Sequence, residues 1–327
     1  MSRPATTLVT GAGGFIGSHL TEQLVRQGAR VRAFIHYNSA GRRGWLEESP
    51  VASEIDFVAG DIRDFDAVQR ATRGCSVVFH LAALVGIPYS YISPQAYLRT
   101  NIDGAFNVLD SARMNEVEKV VLTSTSEIYG SARAIPMDEL HPVHCQSPYA
   151  ASKVAADQLG LSYHRSFGLP VVIVRPFNTY GPRQSLRAVI PTVIAQVLSG
   201  NGAVELGNLH PRRDFTFVED TAAGFLAAGG VDSLIGDVVH IGSGTDVSVN
   251  ELADHVGRLT GRAFTLKRDE SRVRPPASEV DRLVCDNRKL RIGTGWQPLV
   301  TLEEGLRRTI QWLEPRLGSV RAGEYSI

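Results

Sequence analysis

The chain has 327 residues, 43% hydrophobic and 21% charged, which is enough apolar sequence for a sizeable core in one large domain or two closely joined ones. Its 34 basic and 34 acidic residues leave a formal net charge of zero, so composition gives no electrostatic case for nucleic acid or an anionic membrane as partner. Cys75, Cys145 and Cys285 stand far apart in no metal-binding spacing, and no apolar run approaches the roughly 18 residues of a membrane span, so a metal-free cytoplasmic protein with reduced thiols is expected.

The first strand is expected over 7–10, close enough to the start to leave no room for a signal peptide. Gly11-Ala12-Gly13-Gly14-Phe15-Ile16-Gly17 follows at once, and a helical pattern then runs from Ser18 to about Gln27. Glycines at 11, 14 and 17 permit a tight turn, approach of the backbone to a pyrophosphate, and close packing of helix on strand. With the helix N-terminus facing the phosphates, Gly11, Gly13, Gly14, Phe15, Ile16 and Gly17 are expected to hold a dinucleotide.

The second strand is expected over 31–35. A carboxylate usually ends this strand when the cofactor is NAD, because it binds the ribose 2′-hydroxyl. Here the chain reads His36-Tyr37-Asn38-Ser39-Ala40-Gly41-Arg42-Arg43. His36, Asn38, Ser39 and Arg42 favour a 2′-phosphate, hence NADP over NAD, although Arg42 and Arg43 equally suit a solvated loop. A third strand over 56–59 leads to Asp61 and Ile62, placed to edge an adenine ring. A fourth, from 77, runs into Leu81, Ala82 and Ala83, whose small size would let the backbone lie against the cofactor. His80 belongs to that strand and is read as structural.

A long helix is expected over 94–113 and a fifth strand over 119–123, ending on Thr123. Ser124-Thr125-Ser126-Glu127 lies at its carboxyl end, where doubly wound sheets bind ligands. Ser147-Pro148 opens a helix that carries Tyr149 and Lys153 one turn apart on one face. An ammonium beside a buried phenol favours the phenolate. Moving a tyrosine from about 10 to near 7 takes roughly 4 kcal/mol, which a lysine and a cationic nicotinamide could supply together. Spacing alone also fits a surface pair. A sixth strand over 171–175 precedes Pro176.

Strand and helix alternate throughout, which predicts an α/β, Rossmann-type doubly wound parallel sheet. Beyond 177 the alternation loosens. The expected division is a dinucleotide-binding domain over 1–177 with a return segment near 216–245, and a smaller, partly interleaved substrate domain over 178–327. Helices are expected at 190–198, 249–260 and 302–313, with a short strand near Val204.

With these residues in view, the chain resembles the extended short-chain dehydrogenase/reductase family, specifically its nucleotide-sugar epimerases and dehydratases. The resemblance spans essentially the full length. It rests on the glycine loop, Gly60-Asp61, His80-Leu81-Ala82-Ala83, Asn101-Ile102-Asp103-Gly104, Tyr149 with Lys153, Arg175-Pro176-Phe177-Asn178 and Arg213-Asp214-Phe215. It implies that Tyr149 is the catalytic base, that Lys153 holds the nicotinamide ribose and lowers the tyrosine pKa, and that Thr125 hydrogen-bonds the sugar hydroxyl being oxidised. Asn178, Arg213 and Arg274 are implied to hold the diphosphate and nucleoside, and Ser90 to touch the substrate. It also implies a tightly bound cofactor and a homodimer.

The subfamily turns on Thr125-Ser126-Glu127. By resemblance, a 4,6-dehydratase carries threonine, then aspartate or serine, then glutamate here, as in the GDP-mannose type. The glutamate takes the C5 proton of the sugar, and Ser126 stands where dTDP-glucose enzymes have an acid aspartate. A 4-epimerase needs no such base, and some UDP-glucuronate decarboxylases share the tripeptide. Gly207-Asn208-Leu209 is similar to the GDP-mannose nucleotide loop. His36-Tyr37-Asn38-Ser39 and Ile87-Pro88-Tyr89-Ser90-Tyr91 are similar to dehydratases of legionaminic-acid pathways that act on N-acetylglucosamine nucleotides. The substrate is therefore expected to be GDP- or UDP-linked. A non-catalytic dinucleotide-binding regulator would keep the glycine loop but has no use for Thr125, Tyr149 and Lys153 together.

Overall fold

The computed structural model describes residues 6–200 and 202–319. Its central sheet has seven strands: β1 (Thr6–Thr10), β2 (Arg30–His36), β3 (Asp56–Gly60), β4 (Cys75–His80), β5 (Lys119–Thr123), β6 (Val171–Pro176) and a last strand, Val238–Ile241. In space they run Val238–Ile241, β6, β5, β4, β1, β2, β3, and every pairing is parallel. The chain starts mid-sheet, steps out to β3, and resumes at β4 on the other side of β1. Thr10 pairs with Phe34 on one side and His80 on the other, so the order reverses there and a crevice opens above the strand ends. This is the expected doubly wound α/β sheet.

Both faces are covered, which explains the near-continuous apolar strands. Successive residues feed opposite cores, as the two-residue period of a strand requires. Val9, Val121 and Val174 pack with α1 (Phe15–Arg26) and the helix Val218–Gly230 on one face. Leu8, Val120 and Ile173 pack with α2 (Phe65–Thr72) and the helices Gly104–Met114 and Pro148–Phe167 on the other.

The expected helix over 94–113 is a continuous helical run with a wide π turn, Leu98–Asp103, between Pro94–Tyr97 and Gly104–Met114. The strand Val238–Ile241 lies inside the segment expected to return to the sheet, but its four residues carry too short a pattern to be named from sequence. It pairs with β6 through Val239 and Val174. A third core joins the helices Val189–Ser199, Val249–Thr260 and Leu302–Leu313 beyond the strand ends. Among the described residues, no helix is long and apolar enough to cross a membrane.

Candidate active site

A cleft of about 1300 Å³ lies between the strand ends and the third core. That exceeds the roughly 300–1,000 Å³ of most small-molecule pockets and suits two large ligands end to end.

Its floor is the glycine loop. Gly11 has φ 70, and a Cβ there would lie 2.8 Å from the Ala82 nitrogen. A Cβ on Gly13 would lie 2.6 Å from the Arg43 carbonyl oxygen. The loop thus packs backbone to backbone against the end of β4 and against the segment after β2. Gly14 caps α1 with no side-chain hydrogen bond, and the first turn has no acidic residue, so the helix N-terminus faces the cleft uncapped. That arrangement fits a pyrophosphate.

The other dinucleotide candidates line the same cleft: Phe15, Ile16, Gly17, His36, Asn38, Arg42, Asp61, Ile62, Leu81, Ala82, Ala83, Thr123 and Pro176. Asn38 shapes its loop, donating to the Arg42 carbonyl at 2.8 Å and accepting from the Arg42 N–H at 2.9 Å. Asp61 is bonded by the Arg63 guanidinium, which holds its carboxyl down at about 2. Ser39 lies outside the cleft wall. Ser90 does too. It is fully buried in a short helix, and its hydroxyl donates back to the Ile87 carbonyl at 2.7 Å.

Two elements bring the catalytic candidates together. Past the end of β5, Thr125 caps the short turn Ser126–Tyr129, and its hydroxyl accepts from the Glu127 N–H at 3.2 Å. Opposite, Ser147 caps the helix Pro148–Phe167 by accepting from the Ala150 N–H at 3.1 Å, with Pro148 in its first turn. Tyr149 and Lys153 then project from successive turns. Thr125 and Tyr149 line the same cleft, near enough for the Thr125 hydroxyl to favour the ionised phenol. Asn101, from the π turn, donates to the Ser152 hydroxyl at 2.9 Å and ties this helix to Leu84.

The expectation that Lys153 lowers the phenol counts on a cationic nicotinamide as well; in the protein alone, burial dominates both groups. Burial pushes Tyr149 well up, and Glu127, Tyr97 and Asp157 add to that, while the Thr125 hydroxyl pulls the other way. Burial also lowers Lys153 to about 8, with Asp157 pulling it back up. Burial thus disfavours the charged form of both groups. His80 is buried and bonded through Nδ1 to the Thr10 hydroxyl at 2.8 Å, a structural role.

Asn178, Arg213 and Arg274 line the opposite wall. Glu279 stands between the arginines, 3.8 Å from Arg213 and 4.0 Å from Arg274, and accepts from the Asn208 amide at 2.8 Å. Sequence reasoning passed over Glu279: it follows a Pro-Pro turn with no periodic pattern to mark it. Several buried polar atoms of the wall have no hydrogen-bond partner among the described residues: Thr123 Oγ1, Glu127 Oε2, Asn178 Oδ1 and Arg274 Nη1. Buried polar atoms are seldom left so, and their convergence on one cleft marks it as a place where polar ligands complete the bonding.

The comparisons with known proteins agree with this geometry. The family model described as GDP-mannose 4,6 dehydratase matches residues 8–309. The chain is 33% identical to a dTDP-glucose 4,6-dehydratase of Streptomyces niveus, over 93% of this chain and 91% of that protein. It is 34% identical to a UDP-glucose 4-epimerase of Mycolicibacterium smegmatis, over 94% of this chain and 97% of that one. Among solved structures, it resembles the dTDP-glucose 4,6-dehydratase DesIV of Streptomyces venezuelae, determined with NAD and TYD bound. The TM-score there is 0.86 at 31% identity, covering 97% of this chain and 99% of that one. The chain belongs to the extended short-chain dehydrogenase/reductase family of nucleotide-sugar dehydratases and epimerases.

Proposed function

We propose that the protein is a nucleotide-sugar 4,6-dehydratase. One observation carries the choice within the family. Glu127 lines the cleft beside Thr125 and Tyr149 with a buried carboxylate oxygen that has no hydrogen-bond partner among the described residues. A 4-epimerase needs only Thr125, Tyr149 and Lys153, and leaves Glu127 without a task.

A bound nicotinamide dinucleotide supplies the hydride acceptor and returns the hydride, so the net reaction is redox-neutral. Tyr149 takes the proton of the C4 hydroxyl while Thr125 holds that hydroxyl. The C4 ketone acidifies C5, and Glu127 takes the C5 proton. Ser126 is a hydroxyl rather than an acid, so Glu127 passes its proton to the departing C6 hydroxyl, which leaves as water. With the hydride given back to C6, Glu127 would deliver a solvent proton to C5 and Tyr149 would release the proton it took, giving the 4-keto-6-deoxy sugar nucleotide. A positioned base is typically worth about 10²–10⁴ in rate.

The cofactor we assign is NADP, tightly held. The end of β2 offers His36, Asn38 and Arg42 to the cleft and no carboxylate. Denaturing the protein and weighing the released nucleotide tests this, and NAD alone would refute it. We infer that residues 1–177 with the return segment near 216–245 serve the dinucleotide, and 178–327 the sugar nucleotide. Asn178, Arg213 and Arg274 hold a GDP- or UDP-linked diphosphate. We also propose a homodimer through the helices Gly104–Met114 and Pro148–Phe167. Phe106 and Phe167 are exposed on them at 42% and 58%. A light-scattering mass equal to one chain at micromolar concentration would refute it.

The reaction class is tested by product mass after incubation with a panel of sugar nucleotides. Loss of one water supports the dehydratase. An unchanged mass with a new sugar configuration indicates the epimerase, and loss of carbon dioxide a decarboxylase.

A further inference from the structure

Behind the catalytic groups lies a buried polar network that the reaction itself does not use. Asp157 is on the same helical face as Tyr149 and Lys153, at successive four-residue steps. It is 1% exposed. Its Oδ2 accepts from the Ser124 hydroxyl at 2.9 Å and from Arg175 Nε and Nη2 at 3.0 and 2.9 Å. Arg175 Nη1 in turn donates to the Tyr129 hydroxyl at 2.6 Å, and that hydroxyl shares a 2.6 Å hydrogen bond with His240 Nε2.

The placement of the two tethers is what matters. Ser124 immediately precedes Thr125, and Tyr129 ends the short turn that begins at Ser126. The Asp157–Arg175 pair therefore grips the segment Thr125-Ser126-Glu127 from both sides, while Asp157 itself is part of the helix that carries Tyr149 and Lys153. Three elements meet there: the end of β5, the helix Pro148–Phe167, and β6. An ion pair buried this deeply is a poor route to stability, since apolar replacements of equal volume are often neutral or better. Geometry is the better account of it.

We propose that Asp157, with Arg175, is a positioning residue that sets Thr125 and Glu127 against Tyr149 and Lys153. This rests on the catalytic assignment above, but only on Thr125 and Tyr149 if the reaction proves to be epimerisation. Reacting groups displaced by about 1 Å can lose 10²-fold in rate. Substrate binding depends on the opposite wall, so it should be spared.

Asp157→Asn leaves a buried guanidinium without its carboxylate and can unfold the chain, so the test cuts the tethers instead. Ser124→Ala removes the bond before Thr125, and Tyr129→Phe the bond after Glu127, each leaving the ion pair intact. The variants are compared with wild type on whichever reaction the product masses show the wild type to perform. That comparison separates failure of the dehydratase reading, seen in the wild-type product, from failure of this one. Each variant, assayed well below its own thermal midpoint, should lose about 10- to 100-fold in kcat with KM within about twofold. The double variant should lose more than the product of the two. Unchanged kcat in both, or losses that only track a fall in thermal midpoint or a rise in KM, would overturn the proposal.

Discussion

Thr125, past the end of β5, and Tyr149, on the helix Pro148–Phe167, line one cleft, and the Thr125 hydroxyl draws the Tyr149 phenol down against the effect of burial. A sugar hydroxyl entering there meets both at once. Tyr149→Phe keeps the ring and its T-shaped packing on Tyr97, centroids 6.1 Å apart, but has no oxygen to take a proton. It should therefore fold normally and lose cofactor reduction and product formation together, by about 10²–10⁴. The absorbance of reduced nicotinamide in a single turnover reads the first. A variant that still reduces the cofactor at the wild-type rate would remove Tyr149 from the chemistry.

Cofactor retention should depend on the seam between the glycine loop and the segment after β2. Trp45 N–H donates to the Gly13 carbonyl at 3.0 Å there, and a Cβ on Gly13 would meet the Arg43 carbonyl at 2.6 Å. Both partners are backbone, so neither can swing aside. Gly13→Ala should lower the dinucleotide retained per chain after gel filtration by about tenfold or more, since the phosphate-binding backbone must shift. Gly230→Ala, whose Cβ would meet nothing within 4 Å among the described residues, is the matched control and should retain the cofactor fully.

Asp214 beside Arg213 makes a stability prediction independent of catalysis. Its Oδ1 accepts from the Ser243 N–H and hydroxyl at 2.8 and 2.6 Å, and its Oδ2 from the Gly244 and Cys285 N–H groups at 2.8 and 3.0 Å. Burial outweighs these bonds and raises the carboxyl from 3.8 to about 6. A raised acid contributes stability that is fully present below the unfolded value, about 4, and is lost as pH rises through about 6. Asp214→Asn presents an amide NH₂ to two of the donors. It should cost about 2–4 kcal/mol at pH 7 and flatten the pH dependence between 4 and 6 in denaturant unfolding. A variant within about 0.5 kcal/mol of wild type would show that the carboxylate is not organising these loops.

Much of this architecture was legible in the residues because local pattern and tertiary role coincide. β5 has the bounds its apolar run suggested, and the helix opened by Ser147-Pro148 carries Tyr149 and Lys153 on one face as spacing required. The glycine loop sits between β1 and α1 at the point where the strand order reverses. What sequence could not give is set by packing across the chain. Ser90 looks like any polar residue in a loop, yet it is enclosed and bonded to its own helix. Lys153 was expected to lower the Tyr149 phenol together with a cationic nicotinamide, and sequence could not show how strongly burial in the protein alone raises the phenol and lowers the ammonium. Asp157 and Arg175 are 18 residues apart and meet only because β6 lies beside β5. Glu279 reaches the cleft from a turn that carries no periodic signal.

The most direct test of the dehydratase account follows a deuterium label at C5 of the sugar nucleotide. In the wild type, Glu127 should remove it, and the recovered product should carry solvent hydrogen at C5. Glu127→Gln keeps the shape of the side chain but cannot accept the proton. It should still oxidise C4, as read by reduced nicotinamide, while water loss slows by about 10²–10⁴ and unreacted substrate keeps its label. A Gln variant that eliminates water at near the wild-type rate, or a wild-type enzyme whose product never loses the C5 label, would contradict the assignment of Glu127 and with it the dehydratase reading.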